Sequence, residues 1–183
     1  TGETVTYARY TIRNTSQQQQ QGKLFLAIRP VQINPIWQHG GLSPIPSMEF
    51  SKTPEGLTTR INGDDLFVSL SEVDAFGARP FDNGDVVREL TTGKVPQAAR
   101  VADNGEYISG ALAYNFDLEP GESKGVVLAI PLFGAPDELR AQMARNTSPD
   151  ADFERIKKEM IAFWQKEIDR VVFDVPDPRV VNT

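Results

Sequence analysis

Arg29, Gln32, Asn34, Trp37, Gln38 and His39 lie close together in one stretch of the chain, Lys23 to Ile45. Nowhere else are so many recognition-type side chains gathered. An indole offers a flat face to the C–H side of a sugar ring, while planar amides and a guanidinium meet its hydroxyls. The set therefore fits carbohydrate binding. It equally fits a Trp37 that plugs the open end of a β-fold while the polar groups satisfy loop backbone, and the sequence leaves both readings open.

The same inventory removes most catalytic chemistry. His39 is the only imidazole and no Gly-x-Ser-x-Gly elbow presents a serine, so a nucleophilic triad cannot be assembled. Zinc lacks ligands in a chain with one histidine and no cysteine. Asp82-Asn83-Gly84-Asp85 lacks the spacing of a calcium loop and its closing glutamate. There is no Gly-rich phosphate loop. Acidic pairs such as Asp64-Asp65, Glu72 with Asp74, and Asp103 with Glu106 fall in turn-like settings, where carboxylates serve turn geometry. No catalytic residue, metal site or cofactor is expected of this chain on its own.

The composition narrows the partners. With 19 basic against 25 acidic side chains and a net charge of -6 in 183 residues, the chain lacks the basic face that nucleic acid demands. No apolar run reaches the roughly 18 residues of a membrane span. An apolar fraction of 39% suits a single domain with a proper core. Absent cysteines leave the compartment unreadable. The abrupt ends, Thr1-Gly2-Glu3 and Val180-Val181-Asn182-Thr183, suggest a piece of a longer protein.

The elements that must position these residues are mostly strands. Val5 to Arg13 alternates apolar and polar with period two. A polar connection through Gln17 to Gln21 leads into Leu24 to Ile28, whose density of aliphatic residues predicts a strand buried on both faces. Pro46 to Ser51, Gly56 to Ile61 and Leu66 to Leu70 read as an antiparallel meander, with Asn62-Gly63 as a hairpin turn. Asp74 to Arg100 is less regular, with a short helix from Asp85 to Leu90 capped by Asp82 or Asn83. Ser109 to Leu118 and Gly125 to Phe133 are expected to form a hairpin deep in the sheet. Finally, Phe153, Ile156, Met160, Phe163, Trp164, Ile168 and Val171 recur at helical spacing, which predicts a packing face. The whole reads as mainly β: an antiparallel, supersandwich-like β-sandwich over 1-135, then an amphipathic helix (about 149-173) and an extended linker over 136-183.

Several of these residues also carry a resemblance. Leu24 to Gln38 (LFLAIRPVQINPIWQ), Phe76-Gly77-Ala78 with Phe81-Asp82, Ser109 to Tyr114, Leu128 to Leu132, and Phe163-Trp164 leading to Val175-Pro176-Asp177 form a pattern. It resembles the N-terminal region of bacterial proteins with a six-hairpin, (α/α)6-barrel glycoside-hydrolase-like domain. The resemblance implies a galactose-mutarotase-like supersandwich, similar to the N-terminal domains of maltose and cellobiose phosphorylases. It implies a linker helix toward a barrel of the same parent chain, which would hold the catalytic acids. On that basis the expected function is a non-catalytic accessory domain of a carbohydrate-active enzyme, with a loop facing its barrel or an oligosaccharide. The alternative is a purely structural or oligomerisation module, and an unpaired sheet edge would invite a homodimer. An independent mutarotase-like enzyme is less favoured, because that chemistry wants a general acid and a base.

Overall fold

In the computed structural model the described residues are 4–30, 37, 41, 43–53, 56–63, 65–132, 139, 141 and 148–170. In chain order the strands are β1 (Val5–Arg13), β2 (Gln20–Ile28), β3 (Ser47–Thr53), β4 (Gly56–Ile61), β5 (Asp65–Ser69), β6 (Ala75–Arg79), β7 (Arg100–Ala102), β8 (Ser109–Leu118) and β9 (Ser123–Pro131). A short helix α1 (Val86–Leu90) follows β6, and a long helix α2 (Pro149–Ile168) ends the described chain.

The strands form two antiparallel sheets, one in the order β1-β9-β5-β4-β3-β7 and one in the order β2-β8-β6. The molecule is a β-sandwich followed by a helix. Because β8 and β9 carry the most apolar sequence, each takes an interior place in its own sheet. They are joined by a tight turn yet do not pair as the expected hairpin. β8 pairs with β2 and β6, while β9 pairs with β1 and β5. Apolar side chains on both faces demand cover on both sides, and two separate sheets supply it better than one ribbon.

Asn14 makes that crossing possible. It is buried, its Nδ2 donates to Gln18 O and Leu118 O, both at 2.8 Å, and its backbone N–H donates to Glu122 O at 2.9 Å. One side chain thus ties the turn after β1 to the turn after β8.

Three further expectations change. β2 is an edge strand and only half-buried, because its second neighbour is missing rather than because its sequence is polar. Gln20 and Gln21 belong to it instead of to a loop. Ala75–Arg79, read as irregular, is a strand whose register against β8 runs from Ala75 opposite Ala113 to Arg79 opposite Ser109. The meander β3-β4-β5 forms as its turns predict.

Between the sheets lie Met48, Phe50, Leu57, Ile108, Leu112, Tyr114, Val126 and Leu128, all buried. Burial of such side chains is worth roughly 1.5–3 kcal/mol each. Phe50 and Phe76 meet across the core with ring centres 5.4 Å apart. Gly110 permits this approach, since a methyl group there would sit 3.1 Å from Phe50 Cζ and overlap the Met48 sulfur.

Helix α2 begins with Pro149 in its first turn and Asp150 and Asp152 beside it, both favourable at a helix start. Arg9 on β1 holds that first turn to the outer face of the larger sheet. Its guanidinium lies 2.6 Å from Glu154 and 3.7 Å from Asp150, and 4.5 Å above the Phe153 ring. Beyond this clamp the expected packing face is not packed. Met160, Phe163, Trp164 and Ile168 of that face are all more than half exposed, and no residue of α2 is buried. Helical periodicity shows that one face is apolar, but it does not say what covers that face. The expected continuation of the helix past 170 lies outside the described residues.

Candidate functional site

The register of the small sheet brings three chain segments to one end. Ile28 of β2 is opposite Gly110 of β8, and Ser109 of β8 is opposite Arg79 of β6. Arg29-Pro30 leaving β2, the turn leaving β6, and the residues entering β8 therefore converge. They enclose a cleft of about 320 Å³ lined by Arg29, Pro30, Phe81, Asp85, Tyr107 and Ser109.

Each wall is fixed by local chemistry. After β6, Pro80 leads into a 3-10 turn, Phe81–Asn83, and Gly84 takes a positive φ of 89° that turns the chain toward α1. Asp85 caps that helix, accepting from the Val87 N–H at 2.9 Å through Oδ1. Its other oxygen receives Arg29 Nη2 at 2.5 Å. Arg79 braces the segment from below: Nη1 lies 3.0 Å from Glu89 and Nη2 donates to the Asn83 carbonyl.

On the opposite wall, Tyr107 is held by backbone bonds that flank it. Ile45 N–H donates to Glu106 O at 2.7 Å, and Ile108 N–H donates to Ile45 O at 3.1 Å. The Phe81 and Tyr107 rings meet edge to face with centres 6.0 Å apart. Both remain open to solvent, 61% and 38% exposed. The two exposed rings beside the charged pair give the cleft one apolar and one polar side.

Known sequences do not supply an identity for this surface. No protein-family model matches the chain, and no curated protein matches it.

Of the residues expected to bind carbohydrate, the structure places Arg29 on the cleft wall. Trp37 is 83% exposed, so it does not plug the sandwich. Gln32, Asn34, Gln38 and His39 lie outside the described residues. In sequence they follow directly on Arg29-Pro30 of the cleft wall.

Sequence reasoning missed Phe81, Tyr107 and the second role of Asp85. It puts Asp85 inside the short helix with Asp82 or Asn83 as the cap, whereas Asp85 itself is the cap. A local signal did exist for Phe81, an aromatic placed by a proline in a turn just after a strand. Tyr107 carries none, because only the β6-β8 register brings it near Phe81. Among the described residues no group of three or more His, Asp or Glu could hold a metal ion. The arrangement offers stacking, hydrogen-bond donors and a carboxylate fixed by two partners, which is equipment for binding.

Proposed function

We propose that this chain is a non-catalytic β-sandwich accessory domain of a carbohydrate-active enzyme, and that the Arg29–Phe81–Asp85–Tyr107 cleft is where it meets a saccharide. The single observation behind this reading is the exposed Phe81–Tyr107 pair set beside the Arg29–Asp85 pair. A pyranose has an apolar C–H face and a rim of hydroxyls, and the cleft offers a counterpart to each. Trp37, exposed and seven residues after Pro30 in sequence, would extend the contact to a neighbouring sugar unit. Helix α2, clamped at its start and apolar along its free face, suits a connector to the (α/α)6 barrel that the sequence resemblance implies.

The test is a calorimetric titration with neutral and acidic oligosaccharides on the wild type, Phe81→Ala and Trp37→Ala. Saturable binding weakened a few-fold to about ten-fold by Phe81→Ala is expected, in line with the roughly 0.5–1.5 kcal/mol of an aromatic contact. Loss through Trp37→Ala with Phe81→Ala unaffected would move the site onto the loop and out of the cleft.

A further inference from the structure

The charge balance of the cleft says which class of sugar it takes, and this step rests on the sugar-binding reading above. Among the lining residues the cation is Arg29 and the anion is Asp85, 2.5 Å apart. Asp85 is not free to swing away, because its Oδ1 is bonded to the Val87 N–H at 2.9 Å. Arg79 and Glu89, which brace the same segment, are likewise paired at 3.0 Å. The guanidinium on the cleft wall is thus already neutralised, on a chain whose net charge is -6.

A uronate entering here meets a guanidinium whose charge Asp85 already balances, so its carboxylate gives up hydration for little attraction in return. A neutral ring meets no such cost. Arg29 keeps further N–H donors and Asp85 keeps acceptor lone pairs, side by side, so adjacent sugar hydroxyls can donate to one and accept from the other. We infer that the cleft selects neutral pyranose units over uronic acids, and that Asp85 is the residue that sets this specificity.

The experiment compares wild type, Asp85→Asn and Arg29→Gln, titrated with cellopentaose, xylopentaose, maltopentaose and galactotetraose on one side and tetragalacturonate on the other. Asparagine is as good a helix cap as aspartate, so Asp85→Asn keeps the local turn. Wild type should bind its best neutral probe at least about ten-fold more tightly than tetragalacturonate. Asp85→Asn should move that ratio about ten-fold toward tetragalacturonate, and added salt should shrink the gain. Arg29→Gln, which leaves Asp85 unbalanced, should widen the discrimination and serves if Asp85→Asn does not fold. Wild type that binds tetragalacturonate as tightly as its best neutral probe overturns the inference. So does a ratio that neither variant moves. If wild type binds no probe of either class, the sugar-binding reading itself fails and the specificity falls with it.

Discussion

Tyr114→Phe probes a polar link buried between the sheets. Tyr114 on β8 is fully buried, and its hydroxyl lies 2.9 Å from Ser69 Oγ on β5. Ser69 Oγ in turn donates to Ser71 O at 2.7 Å, which leaves the Tyr114 hydroxyl as the donor to Ser69. Burial pushes the phenol from 10.0 up to about 12. The folded state therefore holds this proton more tightly than the unfolded state does. Its contribution is complete below about pH 10, falls as pH rises, and is gone above about pH 12. Across that window the loss is about 3 kcal/mol, and about 2 kcal/mol of it has gone by pH ~11.5. Near pH 8, removal of the hydroxyl costs about 1 kcal/mol, the net worth of one hydrogen bond. The two stability curves should therefore cross. The Tyr114→Phe variant is the weaker protein near pH 8 and the stronger one, by about 1 kcal/mol, near pH 11.5. Urea unfolding followed by far-ultraviolet circular dichroism, repeated along that pH range, measures both curves. If the variant loses as much stability as wild type between about pH 10 and 11.5, burial of this phenol does not govern the alkaline limit.

Two other changes test the packing. Thr59 is fully buried, and its Oγ1 has no hydrogen-bond partner among the described residues, so Thr59→Val should raise stability by about 1 kcal/mol in the same urea assay. A loss of that size would show that the hydroxyl has a partner after all. Trp164 is 57% exposed on α2, so Trp164→Ala should change the unfolding free energy by no more than about 0.5 kcal/mol, and acrylamide should quench its fluorescence readily. A protected Trp164, or a cost above about 2 kcal/mol, would mean that this face is covered in solution.

The strands were largely legible because the signals that make them are local. Period-two alternation marked β1 to the residue, Val5–Arg13, and turn chemistry marked Gly56–Ile61 and Ser109–Leu118 equally well. Ala75–Arg79 was missed because it is short and holds a glycine in place of an apolar side chain. It becomes a strand only by pairing with β8. Arg29 could be singled out as a candidate because its type and setting are written in sequence. Its partners were not, since Asp85 lies on a different segment and comes to it only through the fold.

The amino-acid sequence by itself determined that this is a chain of antiparallel strands with a terminal amphipathic helix, short of the residues for triad or zinc catalysis. Hydrophobic period, turn residues and side-chain inventory are properties of neighbours along the chain, so they survive without a structure. Tertiary structure alone decided that β8 and β9 part into different sheets and that the α2 face past its Arg9 clamp stays open. It alone set Phe81, Asp85 and Tyr107 around Arg29. Each of these depends on which distant segment arrives opposite which, and that is fixed by the joint burial of both sheets rather than by any local run of residues.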